Sequence, residues 1–318
     1  MKAAVLNKLG TQPIYSDFPE PVIQNDNQLI INVKAVALKN LDKLKTYKDY
    51  YANYQATPVV VGTDGVGSLT DGTMVYAHGI TGTMAEKALI STNKYTVVPD
   101  NLNTAIAAAL PNAVLGSAIP LMVRGEMNPR QVILINGATG ITGRVAIQIA
   151  KHYGASKIIA TGRNKETLKI LESLGADTTI SLNQSEHEII HQLKEIDKET
   201  PIDIIVDYLW GRPAELILES LKNRKGGPIK FITVGDIASG SITLSSGLVR
   251  SADLTILGAG FGSLTPDVLK LFRSKFLPEM YSLAAEGKLV IETENRLLKE
   301  IDIAWNSQFD GKRVVILI

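Results

Sequence analysis

The apolar residues of this chain follow two different patterns, one before about residue 104 and one after about residue 131. In the first stretch, short apolar runs alternate with Pro, Gly, Asn and Asp, which predicts a β-rich region. Its predicted strands are Lys2–Leu6, Leu29–Val36, Met74–Tyr76 and Tyr95–Val98. One helix is expected to begin near Asn40 and run into the tyrosine-rich stretch 47–54. A run rich in Ala and Leu from Thr104 predicts another helix, which Pro111 and Pro120 must cap or kink.

After Gln131 the pattern alternates between strand-like and helix-like segments at regular spacing. The predicted strands are Val132–Asn136, Lys157–Thr161, Thr178–Ser181, Asp203–Val206, Ile229–Val234 and Leu254–Gly258. Helical periodicity marks Gly143–Tyr153, Lys165–Leu174 and Glu188–Ile196 between them. Strands that alternate with helices form βαβ units around a buried parallel sheet, and a complete doubly wound dinucleotide-binding (Rossmann) fold has six such strands. The sequence therefore predicts an α/β fold with a six-stranded doubly wound parallel sheet over residues 117–255.

The chain after residue 263 predicts two helices and a final strand. The helices are expected near Pro266–Glu286 and Arg296–Asn306, and the strand at Arg313–Ile318. This strand comes too late to extend the parallel sheet, so we expect it to return to the N-terminal β-rich region. That region is then a discontinuous domain made of residues 1–116 and 256–318.

Composition narrows the class of function. Lys and Arg total 33 against 32 Asp and Glu, so there is no basic surplus for nucleic acid or anionic lipid. The N-terminus lacks the apolar core of a signal peptide, and no apolar run is expected to span a bilayer. The chain has no cysteine, which excludes disulfides and thiolate zinc sites. We expect a cytoplasmic protein with a small-molecule substrate and no nucleic-acid or membrane partner.

A glycine-rich turn follows the first strand of the alternating region. The predicted strand Val132–Asn136 leads into Gly137, Ala138 and Thr139, and Gly140, Ile141, Thr142 and Gly143 then open a helix. The unpaired N–H groups of a helix N-terminus attract a pyrophosphate, Gly140 lets backbone approach it, and Gly143 lets helix pack on strand. A turn that only packs is the alternative, but the strand–turn–helix context favours a dinucleotide site.

Residues about twenty positions later indicate which dinucleotide is bound. Enzymes that use NAD commonly place an Asp or Glu there for the ribose hydroxyls. This chain has Gly162, Arg163, Asn164 and Lys165 instead. A guanidinium can bind a 2′-phosphate through two hydrogen bonds, whereas an acid would repel it. The alternative interpretation is that Arg163 is a solvated surface residue after a strand, but the missing acid itself favours NADPH.

Several motifs together resemble the zinc-free quinone oxidoreductase branch of the medium-chain dehydrogenase/reductase superfamily. Besides the glycine-rich turn, they are Pro58–Gly67, Gly72–Tyr76, Gly82–Glu86, Leu174–Asp177 and Gly311–Val315. The resemblance covers nearly the whole chain. It implies a GroES-like catalytic domain built from both chain ends, a central cofactor domain, a cleft between them and a homodimer.

The resemblance also implies roles for single residues. Tyr50 matches a tyrosine near the nicotinamide and is our candidate catalytic residue. Backbone contacts to the nicotinamide are implied for Gly235, Gly258 and Phe261, and a place in the substrate pocket for Asn40, Thr63 and Asn112.

The chain departs from the family at the metal site. Thr63 and Asp64 stand where zinc-dependent relatives have His and Glu. Relatives that reduce quinones often have Asn three places before the residue equivalent to Asp42; here that position is Lys39, and Asn40 follows, so either could take its role.

No metal is expected. His187 and His191 are four residues apart, but a zinc site needs more ligands, so a solvated helix face is the better interpretation. Asp207, after the fourth strand, is expected to cap or pack rather than to catalyse.

Without a Lewis acid, alcohol oxidation is disfavoured and reduction of an activated acceptor is favoured. We therefore expect a zinc-independent, NADPH-dependent oxidoreductase that transfers hydride to a quinone or an α,β-unsaturated carbonyl. An enoyl-thioester reductase of the same fold and a non-catalytic NADPH-binding protein, crystallin-like or regulatory, are the alternatives.

Overall fold

The computed structural model describes residues 1–50, 52–307 and 311–318. They form two compact units, Met1–Pro111 with Lys270–Ile318 (unit 1) and Asn112–Leu269 (unit 2). The predicted domain limits of 1–116 with 256–318, and of 117–255, remain predictions.

Unit 2 contains a six-stranded parallel sheet. Its strands are β8 (Val132–Asn136), β9 (Lys157–Gly162), β10 (Thr178–Ser181), β11 (Ile204–Asp207), β12 (Ile229–Thr233) and β13 (Leu254–Gly258). They lie in the order β10-β9-β8-β11-β12-β13. The first strand along the chain, β8, is thus central, with β9 and β10 on one side of it and β11 to β13 on the other. Every residue of β8 is buried, as expected for a central strand covered on both faces. The predicted doubly wound fold is confirmed.

Helices connect these strands. They are α3 (Ile141–His152), α4 (Lys165–Leu174), α5 (Glu186–Glu199), α6 (Gly211–Ser220) and α7 (Ser246–Ser251). The amphipathic pattern predicted the first three within a few residues, and α6 and α7 lie in further segments between strands, where helices were expected without stated limits. Side-chain caps fix the starts of α4 and α5: the Asn164 side chain accepts from the Thr167 N–H at 3.0 Å, and Ser185 forms a capping box with Glu188.

Unit 1 is built from two β-sheets. Its strands are β1 (Lys2–Leu6), β2 (Ile14–Asp17), β3 (Gln28–Ala37), β4 (Val59–Val60), β5 (Asp64–Ser68), β6 (Met74–Gly79), β7 (Lys87–Val97), β14 (Thr293–Leu297) and β15 (Arg313–Leu317). The small sheet has the order β2-β1-β4 and the large one β14-β15-β3-β5-β6-β7, with β3 also pairing β7. The final strand β15 pairs antiparallel with β3, as the sequence predicted. The hydrophobic core of unit 1 includes Ile31 and Val33 of β3 and Trp305 of the C-terminal region.

Two helix predictions in unit 1 were wrong in their extent. Helix α1 covers only Asn40–Leu44, and the tyrosine-rich stretch after it has turns; Tyr51 lies outside the described residues. The Thr46 hydroxyl donates to the Lys43 carbonyl at 2.7 Å, a local bond that competes with helix continuation. Arg296 and Leu297, predicted to begin a helix, belong to β14, which pairs in parallel with β15. The helix α10 covers only Ile301–Asn306.

Helix α2 (Thr104–Ala118) contains Pro111 in its interior and continues as a π-helical turn, Ile119–Arg124. Pro111 has no N–H to donate to the carbonyl of Ala107. The Tyr281 hydroxyl donates to that carbonyl instead, at 2.9 Å, from helix α9 (Leu277–Ala285). Helix α8 (Pro266–Leu271) precedes it, joined by a π-helical turn at Phe272–Phe276.

Contrary to the sequence expectation, the segment Thr104–Arg124 is long and apolar enough to cross a membrane, judged by length and composition. Of its most apolar window, 67% is buried inside the protein. Such burial is the pattern of a core helix.

Candidate functional site

The glycine-rich turn lies at the carboxyl end of β8 and leads into α3. Gly137 has φ +82°, a left-handed conformation that favours glycine, and a Cβ there would lie 2.8 Å from the Leu209 side chain. Gly140 is the N-cap of α3 with extended backbone, and it is exposed. A Cβ on Gly140 would have no neighbour nearer than 3.8 Å, so a ligand can approach the backbone here.

Two further glycines allow the turn to pack closely. A Cβ on Gly143 would lie 2.5 Å from Ala138 Cα, so only glycine lets α3 approach the turn this closely. A Cβ on Gly162, at the end of β9, would lie 2.2 Å from the Thr139 side chain. These close contacts fix the backbone that joins β8 to the first turn of α3, where a phosphate would bind.

A buried polar network supports the glycine-rich turn, and none of the sequence motifs predicted it. The Thr161 hydroxyl donates to Asn136 Oδ1 at 2.6 Å, and Asn136 Nδ2 donates to Asp207 Oδ1 at 2.7 Å. The Gly137 N–H donates to the Thr161 hydroxyl at 3.1 Å. All three side chains are completely buried, at the carboxyl ends of the neighbouring strands β9, β8 and β11. The available signal was a polar residue ending each of three predicted buried strands.

Asp207 caps the chain that follows β11, as the sequence predicted. Its carboxylate accepts from the Leu209 N–H at 3.1 Å and from the Trp210 N–H at 3.0 Å. Burial raises the pKa of Asp207, and these hydrogen bonds oppose the rise. Since every one of these contacts is made within the protein, they give Asp207 a structural role.

The residues predicted to choose the cofactor lie just after β9. Arg163, Asn164 and Lys165 are exposed, and Asn164 is the N-cap of α4. Asn183 Nδ2 donates to the Arg163 carbonyl at 2.8 Å, which fixes its backbone and leaves its side chain to solvent. In the part of the chain that the structure describes, no carboxylate forms an ion pair with Arg163.

Three predicted nicotinamide contacts lie at the ends of the last strands. Gly235 follows β12, Gly258 ends β13, and Phe261 is exposed two residues after Ala259. Asn112 is half-buried in α2. Their contacts with cofactor or substrate remain predictions.

Unit 1 contains a cavity of about 490 Å³. Thr63 lines it, together with Lys45, Tyr54 and His78 and apolar side chains that include Phe18 and Ile80. The Gly62 N–H donates to the Tyr54 hydroxyl at 3.1 Å, and the Lys45 ammonium lies 4.8 Å from the centre of the Tyr54 ring. Burial lowers the pKa of both Lys45 and His78.

The other predicted pocket residues lie elsewhere. Asn40 is exposed and Tyr50 half-buried, and neither lines this cavity. Lys39, the alternative to Asn40, is buried and ion-paired with Asp64 at 2.8 Å. The roles predicted for Tyr50 and Asn40 remain predictions.

The two helical histidines do not gather further ligands. His187 and His191 stack at 6.4 Å on the exposed face of α5. Within residues 1–50, 52–307 and 311–318, no three His, Cys, Asp or Glu side chains are grouped so that they could hold a metal ion.

The doubly wound sheet and the glycine-rich turn at its central strand define a dinucleotide-binding protein. Comparisons with known proteins agree with this class. Residues 142–274 match the zinc-binding dehydrogenase family. A probable NADPH-dependent quinone reductase of Emericella nidulans is 25% identical over 96% of both chains. A chloroplastic NADPH-dependent alkenal/one oxidoreductase of Arabidopsis thaliana is 32% identical over 59% of this chain, which spans about half of that relative (54%).

Solved structures show the same fold. The quinone oxidoreductase of Thermus thermophilus superimposes with a TM-score of 0.79 at 23% identity over the whole of both chains. A probable oxidoreductase of Mycobacterium abscessus gives a TM-score of 0.82 at 22% identity, covering 100% of this chain and 99% of the other. The chain is therefore similar to oxidoreductases of the medium-chain dehydrogenase/reductase superfamily, among them quinone oxidoreductases, and it shares their fold.

Proposed function

We propose that this enzyme transfers hydride from NADPH to a quinone or an α,β-unsaturated carbonyl and needs no zinc. One observation carries the choice of NADPH. The exposed Arg163 follows the strand next to the glycine-rich turn, where enzymes selective for NADH commonly carry an acid. The relatives named as NADPH-dependent reductases support this choice.

The residues of unit 2 fit a dinucleotide. The open backbone at Gly140 and the N–H groups at the start of α3 would hold the pyrophosphate, because they present donors and the positive end of the helix dipole. The Arg163 guanidinium would bind the 2′-phosphate, with Lys165 adding positive charge. The cofactor, when bound, supplies the hydride.

The cavity of unit 1 offers an acceptor site. Its apolar lining suits a quinone or enone, and a few polar groups would orient the carbonyl. Lys45 is the cation on its wall that has no carboxylate partner among the described residues, so its N–H groups remain available to a carbonyl oxygen. An enone gains hydride at its β-carbon and a proton from solvent at its α-carbon, and a quinone gains one hydride and one proton to become a hydroquinone.

Independence from zinc rests on the positions equivalent to metal ligands in relatives. Asp64 binds the Lys39 ammonium at 2.8 Å, and the Thr63 hydroxyl donates to Asp42 Oδ1 at 2.7 Å. Both side chains are therefore engaged within the protein. Without an electrophile to lower its pKa, an alcohol is a poor hydride donor at neutral pH.

Steady-state NADPH oxidation across matched acceptors tests the proposal. We expect turnover with a simple quinone or a simple enone and negligible NADP⁺ reduction by simple alcohols. An enoyl thioester reduced far faster than the matching enone would instead assign an enoyl-thioester reductase. NADPH binding without turnover of any acceptor would assign a non-catalytic role, and ready alcohol oxidation by metal-free protein would contradict the mechanism.

A further inference from the structure

One lysine side chain lies inside unit 1, surrounded by oxygen atoms. Only 2% of Lys39 is exposed. Its Nζ lies 2.8 Å from Asp64 Oδ1, 3.1 Å from the Ala37 carbonyl and 3.5 Å from Asp42 Oδ2. An ammonium has three N–H donors, so each of these oxygens can face one of them.

The charges around this ammonium balance. Lys39 and Arg313 contribute two positive charges, and Asp42 and Asp64 two negative charges, all four side chains being at least nine-tenths buried. Burial alone would lower the pKa of Lys39, but the two carboxylates outweigh it and raise that pKa. Lys39 therefore stays charged at neutral pH, which an isolated buried lysine would resist.

Of the carboxylates that hold Lys39, one also accepts hydrogen bonds from the cavity wall and the other lies opposite a residue of it. Asp42 Oδ1 accepts from the Thr63 N–H at 3.0 Å and from the Thr63 hydroxyl at 2.7 Å. Asp64 lies opposite His78 in the register of β5 and β6. Thr63 and His78 both line the cavity. Asp42 therefore stands between the Lys39 ammonium and Thr63, and Asp64 stands between it and His78.

We propose that Asp42, Asp64 and the Ala37 carbonyl form a binding site for one small cation, that Lys39 fills it with its own ammonium, and that Lys39 is thereby a positioning residue for Thr63 and His78. The site favours a primary ammonium because Asp64 Oδ1 and the Ala37 carbonyl accept hydrogen bonds from it, and Asp42 Oδ2 adds a negative charge 3.5 Å away. Hard cations also bind such oxygen sets, but the lysine occupies the place permanently.

Chemical replacement of the ammonium tests the proposal. Lys39→Ala removes the atoms of n-propylammonium, leaving space and two carboxylates without their cation. We expect its thermal midpoint to fall by roughly 10 °C. Added n-propylammonium chloride should restore most of that loss in a saturable way, whereas tetramethylammonium chloride, which has no N–H donor, should not.

Two matched variants separate the site from general salt effects. Lys39→Met fills the space without a charge, so n-propylammonium should not rescue it. Lys48→Ala removes an exposed lysine of the same loop and should change nothing. Equal rescue by both salts, or no rescue of a folded Lys39→Ala, would overturn the proposal.

The positioning role has its own spectroscopic test, which needs no catalytic turnover. Burial lowers the pKa of His78, Asp64 opposes that effect, and Lys39, Arg273 and Lys45 add to it. With ¹⁵N-histidine labelling, the His78 pKa should therefore rise in Lys39→Met. An unchanged His78 titration would contradict the positioning role.

Should the single variants fail to fold, Lys39→Met/Asp64→Asn removes one charge of each sign and keeps the network balanced. We expect it to fold, and its His78 pKa to fall below that of the wild type because the opposing carboxylate is gone. A wild-type His78 titration in this double variant would count against the proposal.

Discussion

Arg163 extends from the carboxyl end of β9 with its side chain in solvent and its backbone fixed by Asn183. A charged hydrogen bond contributes about 1.5–3 kcal/mol, so Arg163→Ala should weaken NADPH binding about ten- to a hundredfold and leave NADH little changed. Titration of both cofactors by fluorescence checks this. Lys169→Ala, which removes an exposed cation of α4, is the control. Equal losses of affinity for NADPH and NADH would show that Arg163 does not bind the 2′-phosphate.

Tyr54 illustrates a residue whose hydroxyl supports the backbone of the site. The Gly62 N–H donates to it at 3.1 Å, and burial raises the pKa of Tyr54, so the hydroxyl stays neutral. Tyr54→Phe leaves that N–H without its acceptor and should cost about 1 kcal/mol of unfolding free energy. Urea unfolding measures it, with Tyr47→Phe, an exposed tyrosine of the same loop, as the control. Equal stability of both variants would show that water replaces the hydroxyl.

At the scale of elements, two glycines of one turn should respond differently to the same added methyl group. A Cβ at Gly143 would lie 2.5 Å from backbone, so Gly143→Ala must push α3 away from the turn and should destabilise the protein by about 1–3 kcal/mol. A Cβ at Gly140 would meet nothing within 3.8 Å, so Gly140→Ala should change stability by less than about 0.5 kcal/mol.

The NADPH affinity of Gly140→Ala then shows whether Gly140 is needed for cofactor binding rather than for packing. If a phosphate approaches the Gly140 backbone, the methyl group of Gly140→Ala should weaken NADPH at least about tenfold, about 1.4 kcal/mol, while the fold stays intact. Isothermal titration of the folded variant measures this. Unchanged NADPH affinity would place the pyrophosphate elsewhere.

At the scale of the whole molecule, the pairing of Lys39 with Asp64 predicts how stability depends on pH. Burial would raise the pKa of Asp64, but Lys39 and His78 lower it below its ordinary 3.8, so its contribution is present above that pH and is lost as pH falls through the lowered pKa. The pKa of Lys39 is raised above 10.5, so its contribution is present below that pH and is lost as pH rises through the raised pKa.

The difference in unfolding free energy between the wild type and Lys39→Met/Asp64→Asn should therefore stay constant from about pH 7 to 9. It should shrink above this range as Lys39 loses its proton and in acid as Asp64 gains one, and the changed His78 pKa adds a further change below about pH 7. Urea unfolding of both proteins across this range tests it. Groups far from the pair titrate alike in both proteins, so their contributions cancel in the difference. A difference that changes steadily between about pH 7 and 9 would show that another group titrates with the pair.

Metal content is a second property of the whole molecule. Because Thr63 and Asp64, at the positions of the metal ligands in relatives, are engaged by Asp42 and Lys39, we expect the purified protein to carry no stoichiometric zinc and chelators to leave its activity unchanged. Elemental analysis with a zinc-dependent dehydrogenase as reference decides this. One tightly bound zinc ion per chain would overturn zinc independence.

The sequence by itself determined the elements whose signals are local. The predictions match the observed limits, or nearly so, for the strands β8 and β10, the helix α4 and the turn from Gly137 to Gly143. Apolar periodicity, caps and glycine spacing depend on residues that are close in the sequence, which is why they could be recognised there. The return of the last strand to the N-terminal sheet also followed from its place in the chain order.

Only the tertiary structure decided the features that join distant residues. β14 exists because β15 pairs with it, a contact that outweighs the local helical pattern of residues 296–306. The network of Asn136, Thr161 and Asp207 spans 71 positions, and the ammonium of Lys39 meets a carboxylate 25 positions away. A polar side chain is buried only where such partners offset its loss of hydration, and the partners are set by the fold rather than by neighbouring residues.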